Sequence, residues 1–426
     1  MKDLTKGNDI KVIIQFAIPI FLANVLQLTY SFVDTRMVGE FLGDHALAAV
    51  GLTNGFAVIT ARFFGAHDEN GVRRAAAASY VLGVICALVL TVLSVTFLYP
   101  MLRILNTPDN LIEDAHRYIV IIFAGMIISV FYNVCMGILR AIGDTVTPLI
   151  FLALSAVLNI AGDYICLAVL DMNVEGAAYA TLVSQMAAGI ACIIYSVKRY
   201  ECICFTWQQC RVDSVLARSM MSSGFSMGFM NSIVSLGTVS LQGAINTLGD
   251  SYIVAHSAAR KITELFMMIF SVFGMTMATF CGQNIGAGRT NRVRRGIWHS
   301  ILISWVWCVM TATAAWLAGP WFIHLVTGSS SDEVLATGAL YLRVDTLFYF
   351  VPAVIAIIRN AMQGIGDHST PIISSTIELI GKVLIAIMLV PYLKYTAIII
   401  AEPIVWILMV IPLIVQILRN PALKPE

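Results

Sequence analysis

Two carboxylates, an amide and a hydroxyl stand in otherwise apolar stretches of the N-terminal half: Asp34, Asp163, Asn159 and Thr181. All four offer oxygen ligands, the kind a hard cation such as Na⁺ prefers. Burial and mutual repulsion would also raise one carboxyl's affinity for a proton. Their depths agree. Asp34 lies ten residues before the polar-loop Asp44, Asp163 eight before Asp171, and Thr181 six after Glu175. At about 1.5 Å per helical residue, all three sit roughly 9–15 Å below the same set of loops. Asn159 is one helical turn from Asp163. The spacing predicts a cation or proton site, with structural hydrogen bonding by each acid as the alternative. Arg36, two residues from Asp34, falls on nearly the opposite side of its helix, so the first-half interior reads as acidic with almost no positive charge.

The second half differs. Its apolar stretches carry Arg260, Lys261, Arg343 and Lys382 against Glu264, Asp345, Glu378 and Glu402. Arg260/Glu264 and Glu378/Lys382 have the i,i+4 spacing of helical ion pairs. A neutralised structural network and a substrate-facing network are both compatible with this set, because an ionisable group inside a span is a functional candidate by default.

Pro19 interrupts the first apolar stretch fifteen residues before Asp34, as an inert bend or as a hinge. Six of the nine cysteines lie in apolar runs and read as small core residues. Cys202, Cys204 and Cys210 share a polar loop without histidine, a weak metal signal. Met227, Met230, Met267, Met268, Met275 and Met277 cluster on two consecutive stretches, as packing or as an adaptable binding surface.

The elements that must hold these residues are membrane spans. Of 426 residues, 59% are hydrophobic and 12% charged, more apolar surface than a soluble domain can hide. A net charge of +1 leaves no footprint for nucleic acid. Polar breaks divide the chain into twelve spans near 10–40, 46–64, 73–99, 113–140, 147–170, 175–198, 213–247, 251–286, 292–317, 333–363, 370–391 and 395–419. Alternate connections collect Arg73 and Arg74, Arg140, Lys198, Arg199 and Arg211, then Arg289, Arg292, Arg294 and Arg295. By the positive-inside rule these and both termini are expected in the cytoplasm. No cleavable signal peptide is expected, because the polar start leads into a long apolar run.

The halves repeat. Leu42-Gly43-Asp44 matches Leu248-Gly249-Asp250, Gly65-Ala66 matches Gly286-Ala287, and Ile142-Gly143-Asp144 with Thr147-Pro148 matches Ile365-Gly366-Asp367 with Thr370-Pro371. Same-side recurrence defines a parallel repeat, an arrangement in which transporters bind substrate between the halves. The expected division is a six-helix lobe over 1–198, a linker over 199–212 and a second lobe over 213–426. The offset is 206 residues at the first match but 221 and 223 at the other two. The second span is therefore short by about 15 residues, or about 22 Å of helix. We expect it to be visibly shorter than the eighth, with a void or irregular segment beside it and weak transport. About fifteen apolar residues inserted after Thr53 should then restore stability and efflux.

Several motifs carry a family resemblance. Phe16-Ala17-Ile18-Pro19 … Val33-Asp34-Thr35-Arg36-Met37-Val38-Gly39 resembles the first span of multidrug and toxic compound extrusion (MATE) transporters. So do Leu47-Ala48-Ala49-Val50-Gly51, Asn159-Ile160-Ala161-Gly162-Asp163 and Gly176-Ala177-Ala178-Tyr179-Ala180-Thr181. The resemblance spans essentially the whole chain. It implies an all-α integral membrane protein that is not an enzyme: a multi-pass antiporter of the cytoplasmic membrane exporting organic cations in exchange for H⁺ or Na⁺. In DinF-like members an aspartate on span one, an asparagine and aspartate on span five and a threonine on span six form the cation site; Asp34, Asn159, Asp163 and Thr181 match them in turn. Na⁺ at Asp34 and Asp163 is the only metal implied, with no cofactor beyond the coupling ion. The expected partners are the bilayer and small cationic or amphipathic substrates, and the expected state is a monomer. Two departures stand out. Span seven lacks the interior acid of NorM-type members (Phe225–Ile245), and Pro352 stands at the place of their span-ten acid. The second span continues further in the family between the positions of Thr53 and Asn54. A flippase for lipid-linked oligosaccharides and a transport-impaired deletion variant are the alternatives.

Overall fold

A computed structural model describes residues 2–38, 47–104, 112–170, 172, 174–420 and 423; the side chains of 30–38, 47–49, 101, 104, 114–115, 168 and 174 also lie outside that description. The Leu42-Gly43-Asp44 motif therefore falls outside the described residues. The described chain is helical throughout: α1 (Asp9–Val38), α2 (Leu47–Gly65), α3 (Glu69–Ile104), α4 (Ile112–Ala124), α5 (Met126–Ala141), α6 (Val146–Asp163) and α7 (Val174–Arg199) in the first half. The second half holds α8 (Ser214–Ile245), α9 (Asp250–Gly286), α10 (Thr290–Thr327), α11 (Asp332–Leu347), α12 (Phe350–Ile365), α13 (Ser369–Met388), a single turn α14 (Val390–Leu393) and α15 (Tyr395–Arg419). Among the described residues, eight helices are long and apolar enough to cross a bilayer unaided, and two bent pairs, α4–α5 and α11–α12, cross as single broken spans. With α2 and the Ser-, Gly- and Met-rich α8 this makes twelve transmembrane helices in two homologous sets of six. Lipid-facing flanks are apolar, as at Ile85, Leu88, Val89 and Val92 on α3.

The repeat is visible in the structure at two further points. The fourth span of each set is bent, by 50° between α4 and α5 and by 55° between α11 and α12. Gly125 sits at the first break. At the second, Pro352 stands in the first turn of α12, where its missing N–H costs no helix rung. The paired Ile-Gly-Asp … Thr-Pro motifs then build the same turn. Gly143 and Gly366 take φ of +84° and +100°, a region that favours glycine. Asp144 Oδ1 accepts from the N–H groups of Val146 and Thr147 (3.1 and 3.0 Å), and Asp367 Oδ1 from those of Ser369 and Thr370 (3.1 and 3.0 Å). Each aspartate also reaches the end of the sixth helix of its own set, through the Tyr200 hydroxyl (2.6 Å) and the Gln416 amide (2.9 Å).

The chain forms two compact units: Met1–Leu4 with Ile18–Gly228, and Thr5–Ala17 with Phe229–Glu426. The sequence repeat divides the chain at 199–212, whereas the compact units divide it within α8. The first part of α8 packs on α2. A Cβ on Gly55 would lie 2.5 Å from the Gly224 backbone, and one on Gly51 2.7 Å from that of Gly228. Two glycines four residues apart on each helix let the backbones touch, the small-xxx-small device of membrane helices. Leu52, Phe56 and Ile59 of α2 bury beside Leu216 and Met220 of α8. In the other unit, Arg292 pairs with Asp9 and donates to the carbonyls of Gly7 (2.6 Å) and Lys6 (3.0 Å), while Arg289 donates to that of Thr5 (2.6 Å). These bonds fasten the segment before α1 to the start of α10. Pro19 is buried inside α1, two residues past the point where the chain leaves that unit.

The second span is short: α2 has 19 residues and its counterpart α9 has 37. From Leu47 to Gly65, α2 runs as one unbroken helix. An adjacent void does exist and is described below.

Candidate functional site

Small residues bring α6 and α7 together. A Cβ on Gly162 would lie 3.0 Å from the Ala180 Cβ, and one on Gly176 2.9 Å from the Cys166 Cβ. Ala177, Ala178 and Ala180 are buried in the same seam. Thr181 is thereby carried to Asn159. With the Asn159 amide oriented by its surroundings, its NH₂ donates to Asp163 Oδ2 (2.9 Å), while its carbonyl oxygen accepts from the Thr181 N–H (3.2 Å) and faces Thr181 Oγ1 at 3.1 Å. Asn159 and Asp163 are each 1% exposed, so the pair is shielded from lipid. Immediately after Asp163 the helix widens into a π-helical turn over Tyr164–Val169. Such widenings recur at functional sites because they re-aim side chains. The structure thus joins three of the four sequence-assigned residues; Asp34 lies on α1 with its side chain outside the described residues.

One turn before Asn159, the same face of α6 opens onto a cavity of about 230 Å³. Ser155 and Ala156 of α6 and Ser184 and Gln185 of α7 line it, with Asn24 and Gln27 of α1, Val50 of the short α2, and Ser129, Tyr132, Asn133 and Arg140 of α5. Arg140 corrects the sequence reading. Assigned there to a loop, it is the second-last residue of α5, and its side chain enters this cavity. The first-half interior is therefore not free of positive charge.

In the second unit, buried charges form a chain across four helices. Arg260 Nη1 of α9 lies 3.5 Å from Glu402 Oε1 of α15. The same oxygen lies 3.1 Å from Lys382 Nζ of α13, which lies 2.9 Å from Glu378 Oε1. Glu378 Oε2 lies 3.5 Å from Arg359 Nη2 of α12. Two sequence assignments need correction. Arg260 pairs with Glu402 on another helix rather than with Glu264 one turn away, because α15 presents a buried carboxylate whereas Glu264 and Lys261 are exposed. Arg343 stands apart, donating to the Trp316 carbonyl (3.3 Å) with its guanidinium over that ring. Asp345 is fully buried and accepts from Thr263 Oγ1 (3.3 Å). Arg359 was missed in the sequence; a lone arginine within an apolar run is the signal that marks it. Among the described residues no group of three or more His, Cys, Asp or Glu side chains is placed to hold a metal. Among the described residues, Cys202, Cys204 and Cys210 form no disulfide.

Twelve spans in two homologous sets, a cluster of buried oxygen ligands and an adjoining polar cavity define a multi-pass membrane transporter. The chain belongs to the MatE family, whose model matches residues 19–60, 50–165 and 227–388. The first two matches overlap inside α2, where the repeat offset places the missing stretch. MatE is a transporter family, so the protein is not an enzyme. It is similar to the "Probable multidrug resistance protein YpnP" of Bacillus subtilis (strain 168), 28% identical over 375 residues that cover 82% of this chain and 80% of the relative. The "Probable multidrug resistance protein NorM" of Thermotoga maritima is 25% identical over 414 residues, covering 90% and 86%. The fold matches an outward-facing multidrug resistance MATE transporter of the MOP superfamily with a TM-score of 0.90 at 23% identity, over 100% of this chain and 98% of that one.

Proposed function

We propose that the chain is an antiporter of the cytoplasmic membrane that takes up H⁺ or Na⁺ and exports small cationic or amphipathic compounds. It works as a monomer with both termini in the cytoplasm. The buried Asn159–Asp163–Thr181 cluster carries this reading. A carboxylate 1% exposed in a membrane span is costly unless neutralised by a cation or proton, and this one lies two helical turns past the α6 lining of a cavity able to take an organic molecule. Ion occupancy and substrate occupancy can then bias the same two helices. The names of the relatives support drug export as the physiological task. The basic residues facing inward along alternate connections support the orientation.

The test is efflux of a cationic dye from vesicles holding the purified protein, under an imposed H⁺ or Na⁺ gradient. Acceleration by either gradient, abolished by Asp163→Asn, supports the reading. Gradient-independent dye movement contradicts it. A second reading, a flippase for lipid-linked oligosaccharides, is favoured by Arg140, a cation of the kind that holds an anionic head group. The short α2 favours a slow transporter.

A further inference from the structure

Arg140 is a half-buried arginine that meets no acid among the described residues. Its guanidinium donates to Asn54 Oδ1 through Nη2 (2.9 Å), and among the described residues no carboxylate lies within ion-pair distance. The cations of the second unit's buried chain, and Arg292, each meet one: Arg260 has Glu402, Lys382 has Glu378 and Glu402, Arg359 has Glu378, and Arg292 has Asp9. Arg343, which lines none of the described cavities, has the Trp316 carbonyl and ring instead. A guanidinium has five donors in a planar fork shaped for a carboxylate or phosphate, and one amide oxygen satisfies only one of them. Asn54 is neutral, so among the described residues the charge itself has no protein counterion.

A second observation points the same way. Tyr132, two turns earlier on α5, is 8% exposed, and its hydroxyl is buried with no hydrogen-bond partner in the described structure. Both residues line the one cavity, with Asn133 and Gln185. A buried hydroxyl without a partner is costly, and a bound acceptor would recover that cost. On α6, Asn159 and Asp163 lie one and two turns beyond Ser155, which lines the cavity. The guanidinium thus lines the cavity itself, whereas the described carboxylate, Asp163, lies outside its lining.

We propose that the first-unit cavity holds a ligand with an anionic group, carboxylate or phosphate, which Arg140 clamps and Tyr132 Oη donates to. The apolar remainder would lie against Ile20, Leu152 and Met136. A purely cationic ligand would place a like charge beside Arg140. The inference refines the substrate class of the proposed transporter, and it needs only binding, not ion coupling.

The test measures binding of dansylglycine and of its methyl ester, by fluorescence, to the purified full chain in maltoside detergent without any ion gradient. The pair differs by one negative charge. The expected result is at least tenfold tighter binding of the acid. Arg140→Gln should remove that preference while leaving the ester unchanged, and Tyr132→Phe should weaken the acid severalfold. Competition identifies the source of the anion: displacement by short-chain phosphatidylglycerol marks a lipid head group, and displacement by inorganic phosphate alone marks a soluble anion. Equal binding of acid and ester by the unsubstituted protein overturns the proposal, even if Arg140→Gln does not fold. So does an acid preference that survives in a folded Arg140→Gln protein. Neither failure touches gradient-driven dye efflux, which tests the antiporter reading separately.

Discussion

Lys382 Nζ lies between two carboxylates, 2.9 Å from Glu378 and 3.1 Å from Glu402. The ion pair legible in the sequence is thus the middle of a chain whose ends are Arg359 and Arg260. This changes what a mutation strands. Lys382→Met leaves Glu378 with Arg359 and Glu402 with Arg260. Glu378→Gln leaves Arg359 without its carboxylate in the membrane interior. Removing one partner of a buried pair costs about 3–5 kcal/mol. Glu378→Gln should therefore lower the melting temperature in detergent more than Lys382→Met does. Additivity of the two in the double mutant would show that they do not interact.

Gly55 offers a test of the short second span. A side chain there would meet the Gly224 backbone at 2.5 Å, and backbone cannot step aside as a flexible side chain can. Gly55→Leu should cost upward of about 3 kcal/mol, the top of the overpacking range. Gly243, with nothing within 4 Å of an added Cβ, is the control, and Gly243→Ala should leave the melting curve in place. Equal effects at the two positions would show that α2 and α8 do not touch.

The Ile-Gly-Asp turns carry a pH signature outside the spans. Burial alone would raise the Asp144 carboxyl, but hydrogen bonds from Thr147 and Tyr200 outweigh it and hold the group below its ordinary 3.8. Asp367 is held down in the same way by Thr370, Gln416 and Ser369 against its own burial. A depressed folded-state value means stability that is present above the unfolded value and is lost as pH falls through the folded one. Asp144→Ala should cost about 0.5–2 kcal/mol, as for a lost helix cap. The gap from the unsubstituted protein should stay constant from neutral pH down to about 4 and close below that. A gap that widens on acidification would contradict the assignment.

The short α2 predicts slow efflux from the unmodified chain. Comparing its rate in vesicles with that of a variant carrying about fifteen added apolar residues after Thr53 measures the effect. A higher rate in the longer protein is expected, and full-strength efflux from the unmodified chain would contradict it. The insertion also separates Gly51 from Gly55, so its melting curve reports whether their contact with α8 survives.

The spans, the repeat and the Asn159–Asp163–Thr181 cluster were legible because each follows from spacing along a single helix or from a local motif. Asn159 and Asp163 share a face by periodicity, and Thr181 was placed at their depth by counting residues from a loop. What the sequence hid depends on where helices meet. Glu402 lies 142 positions after Arg260, so no local spacing could prefer it over Glu264. Arg140 sits beside a polar turn and counted as a loop residue; only the inward path of its side chain makes it part of a cavity. The glycine contact of α2 with α8 was equally invisible, since Gly51 and Gly55 have the look of ordinary helix glycines until their partners are known.

The central claim is that Asp163, held by Asn159, couples ion movement to export. It is tested most directly by counting coupled ions in vesicles containing the purified protein, with dye efflux and H⁺ or Na⁺ uptake recorded together. The account predicts that Asp163→Asn abolishes gradient-driven efflux and ion uptake in step, in a protein that still melts normally and still binds dye. Asn159→Ala should weaken both, by about 2 kcal/mol or some thirtyfold if one hydrogen bond to a charged group is lost. Ion-coupled efflux at an unchanged rate in a folded Asp163→Asn protein would contradict it.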